Sequence, residues 1–205
     1  MGSAGFGAFR ELVAHIKTTN WVLDESLYNF LLMYHYRVVK NTYAKRYSVP
    51  SKPKDYVRNW NNSKTIESYV TDRKKPSYEV ILCLEHFPNV MHEWIESNSN
   101  KVYSFSKKIY QTFDFLKDNK IIHFDAHWRN ILIDESGAPY LTDFGLALDY
   151  TYCKTEKEKE FFKNHSFYDH SQYTGYLIFL LEIYYQKLNK TKKNMLSDLY
   201  GVNDD

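Results

Sequence analysis

HFDAHWRNILID, residues 123–134, and YLTDFGLAL, residues 140–148, decide how this chain is read. The first carries His123, Asp125 and Asn130 as an H-x-D-x-x-x-x-N loop; the second carries Asp143, Phe144 and Gly145, with Asp143 lying 18 residues after Asp125. The short apolar runs Ile131–Ile133 and Tyr140–Thr142 read as strands, and the DESGAP segment between them reads as a turn because Asp, Ser, Gly and Pro favour tight reversals. A hairpin here brings the ends of both motifs together. It would set a carboxylate, an amide and a second carboxylate side by side, a set of hard oxygen donors suited to a small divalent cation.

Working outward, Phe9, Leu12, Val13 and Ile16 share a face at helical spacing and predict a helix over 8–18. Phe30–Val39 alternates, with Phe30, Leu32, Tyr34, Tyr36 and Val38 on one side, and predicts a strand, although a helix stays open there. Residues 40–77 are polar, contain Pro50 and Pro53, and read as an insertion with short helices near Tyr56–Trp60 and Ile66–Val70. Glu79–Leu84 is a compact strand. Pro88 breaks the chain before a short helix over Val90–Glu96. Val102, Phe105, Ile109, Phe113 and Leu116 mark the clearest helix, 102–117, and Ile121–Ile122 begin a strand into the 123–134 loop. Thr155 and Glu158 form a capping box for a helix through Lys163. Ser171–Lys187 reads as a long apolar helix, and the chain from Asn189 onward as frayed.

The chain has 205 residues, enough for one core of ordinary size or for one lobe and part of another. With 43% apolar and 18% aromatic residues it should pack around rings rather than stay disordered. A formal charge of +2 forces neither a nucleic-acid nor a membrane partner, and neither is expected. Lys40, Lys45, Arg46, Lys52, Lys54 and Arg58 do cluster around a single acid, Asp55. This stretch reads as a solvated insertion, the competing reading being a docking surface for an acidic substrate. Cys83 and Cys153 form no C-x-x-C pair, so neither a disulfide framework nor a zinc signature is present, and a cytoplasmic setting is expected. There is no signal-peptide pattern, and Gly175–Tyr185 is too short to span a bilayer.

The words GSAGFGAFREL, TTNWVL, HFDAHWRNIL and YLTDFGLAL together resemble a bacterial protein-kinase-like family related to the aminoglycoside and choline phosphotransferases. The resemblance spans almost the whole chain, and HFDAHWRN with DFG are its specific parts. It implies an α+β fold. Residues 1–87 would be a partial N-lobe with a helical insertion at about 40–77 and a hinge at 85–88, and 88–205 a mostly helical C-lobe. It implies a phosphotransferase that moves the γ-phosphate of ATP, with Mg2+, to a hydroxyl acceptor. Asp125 would orient and deprotonate the attacking hydroxyl, and Asn130 and Asp143 would hold the metal. His127 would neutralise transition-state charge, and His123 would brace the D-F-G backbone. Glu85 and Phe87 would present their main chain to adenine, Glu85 being otherwise a plain exposed acid. Glu11 would be the helix acid able to pair a strand lysine, or else a surface residue. Asp169 resembles the buried acid that ties its helix to the catalytic loop, and the N-cap of that helix is an equally good reading.

Gly2, Gly5 and Gly7 with Lys17 mimic a phosphate loop and strand lysine, but only nine residues with helical periodicity separate Gly7 from Lys17, so that reading is set aside. The glycine loop and lysine of the family would then precede residue 1, and the chain is either a fragment or a degenerate member serving as a pseudokinase or partner-binding module. His123 and His127 also form an H-x-x-x-H pair, which lacks the glutamate of a zinc protease and lies in a loop. The 23 residues between Gly145 and Asp169 hold no A-P-E motif. That absence, with His127 where protein kinases usually carry lysine, leans toward a small-molecule or atypical acceptor; a protein Ser/Thr hydroxyl stays open, and the sequence leaves the acceptor's identity open. Tyr150 and Tyr152 read as exposed.

Overall fold

A computed structural model describes residues 7–40, 53–72 and 77–200. The chain divides into two compact units, Tyr34–Cys83 and the remainder.

The larger unit begins with helix α1, Ala8–Leu23, which runs five residues beyond the expected end. Its buried face is not the one that apolar spacing selects. Leu12, Ala14, His15 and Thr18 are buried, whereas Phe9 and Ile16 are 64% and 36% exposed. The face turned to the 144–146 turn keeps Leu12 from the apolar stripe but otherwise carries Ala14, His15 and Thr18. His15 sets its ring edge-on against Phe144, centroids 5.3 Å apart.

The expected strand over Phe30–Val39 starts later. Strand β1 is Met33–Lys40. Phe30 leaves the alternation, forms one parallel bridge to Leu141 and is fully buried. Local bonds enforce this break: Asn29 donates through Nδ2 to the Pro139 carbonyl at 2.7 Å and accepts from Leu141 N–H at 2.9 Å.

Helices α4 (Met91–Ser97) and α5 (Val102–Asp118) supply much of the core. Met91, Ile95, Phe105, Ile109, Phe113 and Leu116 meet Phe30, Ile131, Ile133, Leu141, Phe144 and Tyr173 there. Complete burial of each such side chain is worth about 1.5–3 kcal/mol. The sequence places α5 one residue short of its observed end, where Lys120 adopts a left-handed φ of 59° and turns the chain into the next strand.

Five short strands then frame the centre of the unit. β3 (Asn89–Val90), β5 (Ile131–Ile133) and β6 (Pro139–Leu141) form an antiparallel sheet in that order, with Ile131 opposite Leu141 and Ile133 opposite Pro139. β4 (Ile121–Ile122) pairs antiparallel with β7 (Leu148–Asp149). The β5–β6 reversal is the expected turn. Gly137 sits there at φ +84°, and a Cβ on it would come within 3.0 Å of the Trp94 ring, so two constraints select glycine. The pairing has a direct consequence. Residues 123–130 lie between β4 and β5, and residues 142–147 between β6 and β7. Because β4 pairs with β7 and β5 with β6, loop and turn are clamped side by side at both ends.

The capping box of α6 (Glu156–Asn164) is present: Thr155 Oγ1 accepts from Glu158 N–H at 3.2 Å and Glu158 Oε2 accepts from Thr155 N–H at 2.8 Å. Helix α7 (Tyr168–Lys187) starts three residues before the expected position. The expectation of fraying after Asn189 is overturned by helix α8, Lys190–Tyr200. Asn189 caps it, its Oδ1 accepting from Lys192 N–H at 3.0 Å. Tyr150 and Tyr152 are half-buried rather than exposed. Tyr150 meets Phe162 edge-on at 5.2 Å, and the Arg10 guanidinium covers Tyr152 at 4.7 Å. Cys83 and Cys153 are both free. No helix among the described residues is long and apolar enough to cross a membrane.

The smaller unit holds β1 and β2 (Tyr78–Leu84), paired as a two-stranded sheet, with helices α2 (Pro53–Asn59) and α3 (Lys64–Asp72). Pro53 stands first in α2, where a missing N–H costs nothing. Tyr34, Tyr36 and Val38 on β1 are exposed. Of the basic cluster, Lys45, Arg46 and Lys52 lie outside the described residues, as do Gly2 and Gly5; Arg58 pairs with Asp55 on the same helix.

Candidate active site

The 123–130 loop is built around two backbone demands. Phe124 takes a left-handed φ of 63°, a costly conformation for a bulky side chain. Asp169, the second residue of α7, holds it there. Its Oδ2 accepts from His123 N–H and its Oδ1 from Phe124 N–H, both at 2.8 Å. No side chain caps α7, so of the two sequence readings of Asp169 the geometry matches the tie to the loop. Burial raises its pKa to about 6, against the pull of the two amides. Gln172, one turn further, accepts from Ala126 N–H through Oε1 at 2.8 Å. Sequence reasoning missed Gln172, although i, i+3 spacing from Asp169 puts both on one helix face.

His123 is fully buried between loop and turn. Its Nε2 lies 3.0 Å from the Thr142 carbonyl and its Nδ1 accepts from Asp125 N–H at 3.2 Å, which fixes Nε2 as the protonated nitrogen. Its ring packs on Phe144 at 4.7 Å. Burial lowers its pKa to about 4, so it is neutral at pH 7. With both nitrogens spent it offers no lone pair to a metal, which removes the His123/His127 zinc reading. Among the described residues no cluster of three His, Cys, Asp or Glu side chains could hold a metal.

Asp125, Asn130 and Asp143 are brought together. Asn130 Nδ2 donates to the Asp125 carbonyl at 3.0 Å and to its Oδ2 at 3.2 Å. Thr142 N–H donates to the Asn130 carbonyl at 3.0 Å, which joins the loop to the base of the D-F-G turn. Burial raises the Asp125 pKa; the nearby Asp143 charge raises it further, while His127 and the Asn130 bond oppose. Asp143 is exposed, adopts φ 62°, and accepts from Gly145 N–H through Oδ1 at 3.3 Å. A Cβ on Gly145 would stand 3.1 Å from that oxygen and 3.8 Å from Glu11 Oε2, so the glycine leaves a cradle beside two carboxylates. His127 Nε2 is 3.7 Å from Asp125 Oδ1, and its Nδ1 accepts from Arg129 N–H at 3.1 Å.

Glu11 faces the D-F-G turn. Burial raises its pKa, and the Asp143 charge adds to that. Among the described residues no lysine pairs with it. Lys17 instead bonds Asp149, a pair that sequence reasoning missed because 132 residues separate the partners. Glu85 is tied to Leu32 twice: its N–H donates to the Leu32 carbonyl at 2.8 Å, and its Oε2 accepts from Leu32 N–H at 3.2 Å. The Glu85 carbonyl and the Phe87 N–H have no partner among the described residues. Phe87 stacks on Tyr140 with centroids 4.0 Å apart.

Hard oxygen donors at Asn130 and Asp143, an open cradle at Gly145 and a second carboxylate at Asp125 fit a magnesium ion. Such an ion takes one or two protein carboxylates and completes its shell with phosphate oxygens. The family model described as the protein kinase domain matches residues 55–174, more than half of the chain. The chain belongs to the protein kinase domain family, and it has that family's α+β fold, mostly helical with few strands. It is similar to the CTD kinase subunit alpha of Saccharomyces cerevisiae, 30% identical over 91 residues, which is 42% of this chain and 17% of that protein. It is also similar to a mitogen-activated protein kinase kinase kinase 1b of Physcomitrium patens, 42% identical over 48 residues, 23% of this chain and 6% of that protein. The match therefore spans less than a fifth of either relative.

Proposed function

We propose that this chain is an ATP- and magnesium-dependent phosphotransferase acting on a hydroxyl acceptor. The observation that carries the reading is the convergence of Asp125, Asn130 and Asp143 at one end of the β5–β6 hairpin. Asn130 and Asp143 would hold magnesium, which when bound would supply positive charge to offset that of the phosphates. The acceptor oxygen attacks the γ-phosphorus, the bond to the β–γ bridging oxygen breaks, and ADP leaves. The acceptor proton passes to Asp125, whose raised pKa makes it the better base. His127, beside Asp125, supplies a donor for the charge that develops on the transferred group. His123 and Asp169 keep the loop in register. The Glu85 carbonyl and Phe87 N–H would receive adenine, within an N-lobe of 1–87 hinged at 85–88 to a C-lobe of 88–205. The cytosol would supply the nucleotide.

His127 and the absence of A-P-E support a small-molecule acceptor of the kind used by aminoglycoside and choline phosphotransferases. The names of the two relatives favour a protein acceptor instead. A second reading, a partner-binding pseudokinase, is favoured by Glu11, which has no lysine partner among the described residues and lies near the Asp143 charge. Thermal unfolding with Mg-ATP separates the two. At 100 times Kd a ligand adds about 2.7 kcal/mol, and each kcal/mol raises Tm by about 2–4 °C for a chain of this size. The phosphotransferase reading requires such a rise and its loss in Asp143→Ala. An unmoved Tm in the unaltered chain would leave the pseudokinase.

A further inference from the structure

A cleft of about 520 Å³ opens where the catalytic loop meets α7. Trp128, Tyr168, Gln172, Gly175, Tyr176 and Phe179 line it, with Ser171 at its edge. None of these side chains is charged. Four are aromatic, and Trp128 contacts two of the others: it meets Tyr176 edge-on at 4.9 Å and stacks with Phe179 at 5.9 Å and 16°. The cleft is built into the reaction centre rather than beside it. Trp128 follows His127 directly, Tyr176 meets the His127 ring at 6.1 Å, and Gln172 ties α7 to Ala126. Gly175 has nothing within 4 Å of where a Cβ would stand, and so leaves a way in.

We infer that this cleft is the acceptor subsite, and that it takes a small, uncharged alcohol whose hydroxyl stands on a short arm from an aromatic ring. The inference rests on the phosphotransferase reading and supplies its missing substrate class. The site is shallow and open to solvent, with Tyr168 38% and Phe179 50% exposed, so a ligand rests on its rings rather than being enclosed. A lining without charge gives a phosphorylated or polycationic acceptor nothing to pair with, and desolvating such charges there is costly. Asp125 lies in the adjoining loop rather than in the lining, and Asn130 Nδ2 donates to its Oδ2 at 3.2 Å. Ring faces and edges remain, and these select a flat π surface. A ring seated against Trp128 and Tyr176 leaves its short arm to carry the hydroxyl past His127 toward Asp125.

Ligand-observed NMR on the full chain tests this with 2-phenylethanol as the probe, against 2-cyclohexylethanol and choline. The expected result is saturation transfer strongest at the ring protons, with 2-cyclohexylethanol and choline each weaker by about fivefold or more. Gly175→Leu fills the opening and should abolish binding, whereas Gly175→Ala is too small to do so and should retain it. Both replace an exposed helical glycine by a better helix former, so neither threatens the fold. Trp128→Ala should weaken binding by about tenfold. Three results would overturn the inference: no binding of 2-phenylethanol, binding that survives Gly175→Leu, or choline binding as tightly as the aromatic alcohol. A tyrosine-containing peptide that binds more tightly and is lost in Gly175→Leu would overturn the small-molecule assignment. The Mg-ATP thermal shift of the unaltered chain reports separately. If 2-phenylethanol binds the cleft but Mg-ATP gives no shift, the phosphotransferase reading fails, and the acceptor assignment falls with it.

Discussion

Replacing Asp169 should loosen the catalytic loop by an amount that depends on pH. Its carboxylate accepts from His123 and Phe124 N–H at 2.8 Å each, and Phe124 is held at a left-handed φ of 63°. Stranding a buried amide costs about 1–3 kcal/mol, so Asp169→Ala should lose about 2–6 kcal/mol. Asp169→Asn keeps one acceptor and should lose about half of that. Asp169 also has a raised folded pKa of about 6 against a usual 3.8. A raised folded value means that its stabilising contribution is complete below pH 3.8 and is lost as pH rises through about 6. Between pH 5 and pH 7 the unaltered chain should therefore lose about 1 kcal/mol that Asp169→Asn does not, which narrows the gap between them at pH 7. Urea unfolding of both variants at the two pH values measures this, with amide exchange at His123 and Phe124 locating the loss. A cost below about 0.5 kcal/mol, or a gap that does not change with pH, would refute the reasoning.

Other expectations follow from the same geometry. His15 and His123 have pKa values lowered to about 4 by burial, so they add stability above the unfolded value of 6.5 that is lost as pH falls from 6.5 toward 4. Each contributes about 3 kcal/mol across that range, and His15→Phe should flatten its share of the acid limb in an unfolding titration. Gly145→Ala places a Cβ 3.1 Å from Asp143 Oδ1. It should weaken Mg-ATP about tenfold by calorimetry while changing unfolding free energy by no more than about 1 kcal/mol. Ile109→Ala, at a fully buried site, should cost about 2–5 kcal/mol in urea unfolding.

The parts of this molecule that local chemistry encodes were legible in advance. The H-x-D-x-x-x-x-N loop, the D-F-G turn, the hairpin between them, helix α5 and the Thr155–Glu158 capping box each depend on residues within a few positions of one another. What stayed hidden depends on long-range choices. The stripe of Phe9 and Ile16 looks like the buried face of α1, and only the close approach of the 144–146 turn selects Ala14 and His15 instead. Phe30 continues an alternation that Asn29 breaks by bonding across 110 residues. Lys17 finds Asp149 in the same way. Helix α8 was missed for a smaller reason: Asn189 announces it as a cap, but little apolar periodicity follows to draw attention to it.

Binding of Mn2+, followed by electron paramagnetic resonance with ADP present, tests most directly whether Asn130 and Asp143 act together on a divalent ion. The account predicts one nucleotide-dependent site that both Asn130→Ala and Asp143→Ala remove. Ion binding that is unchanged in Asp143→Ala would contradict it.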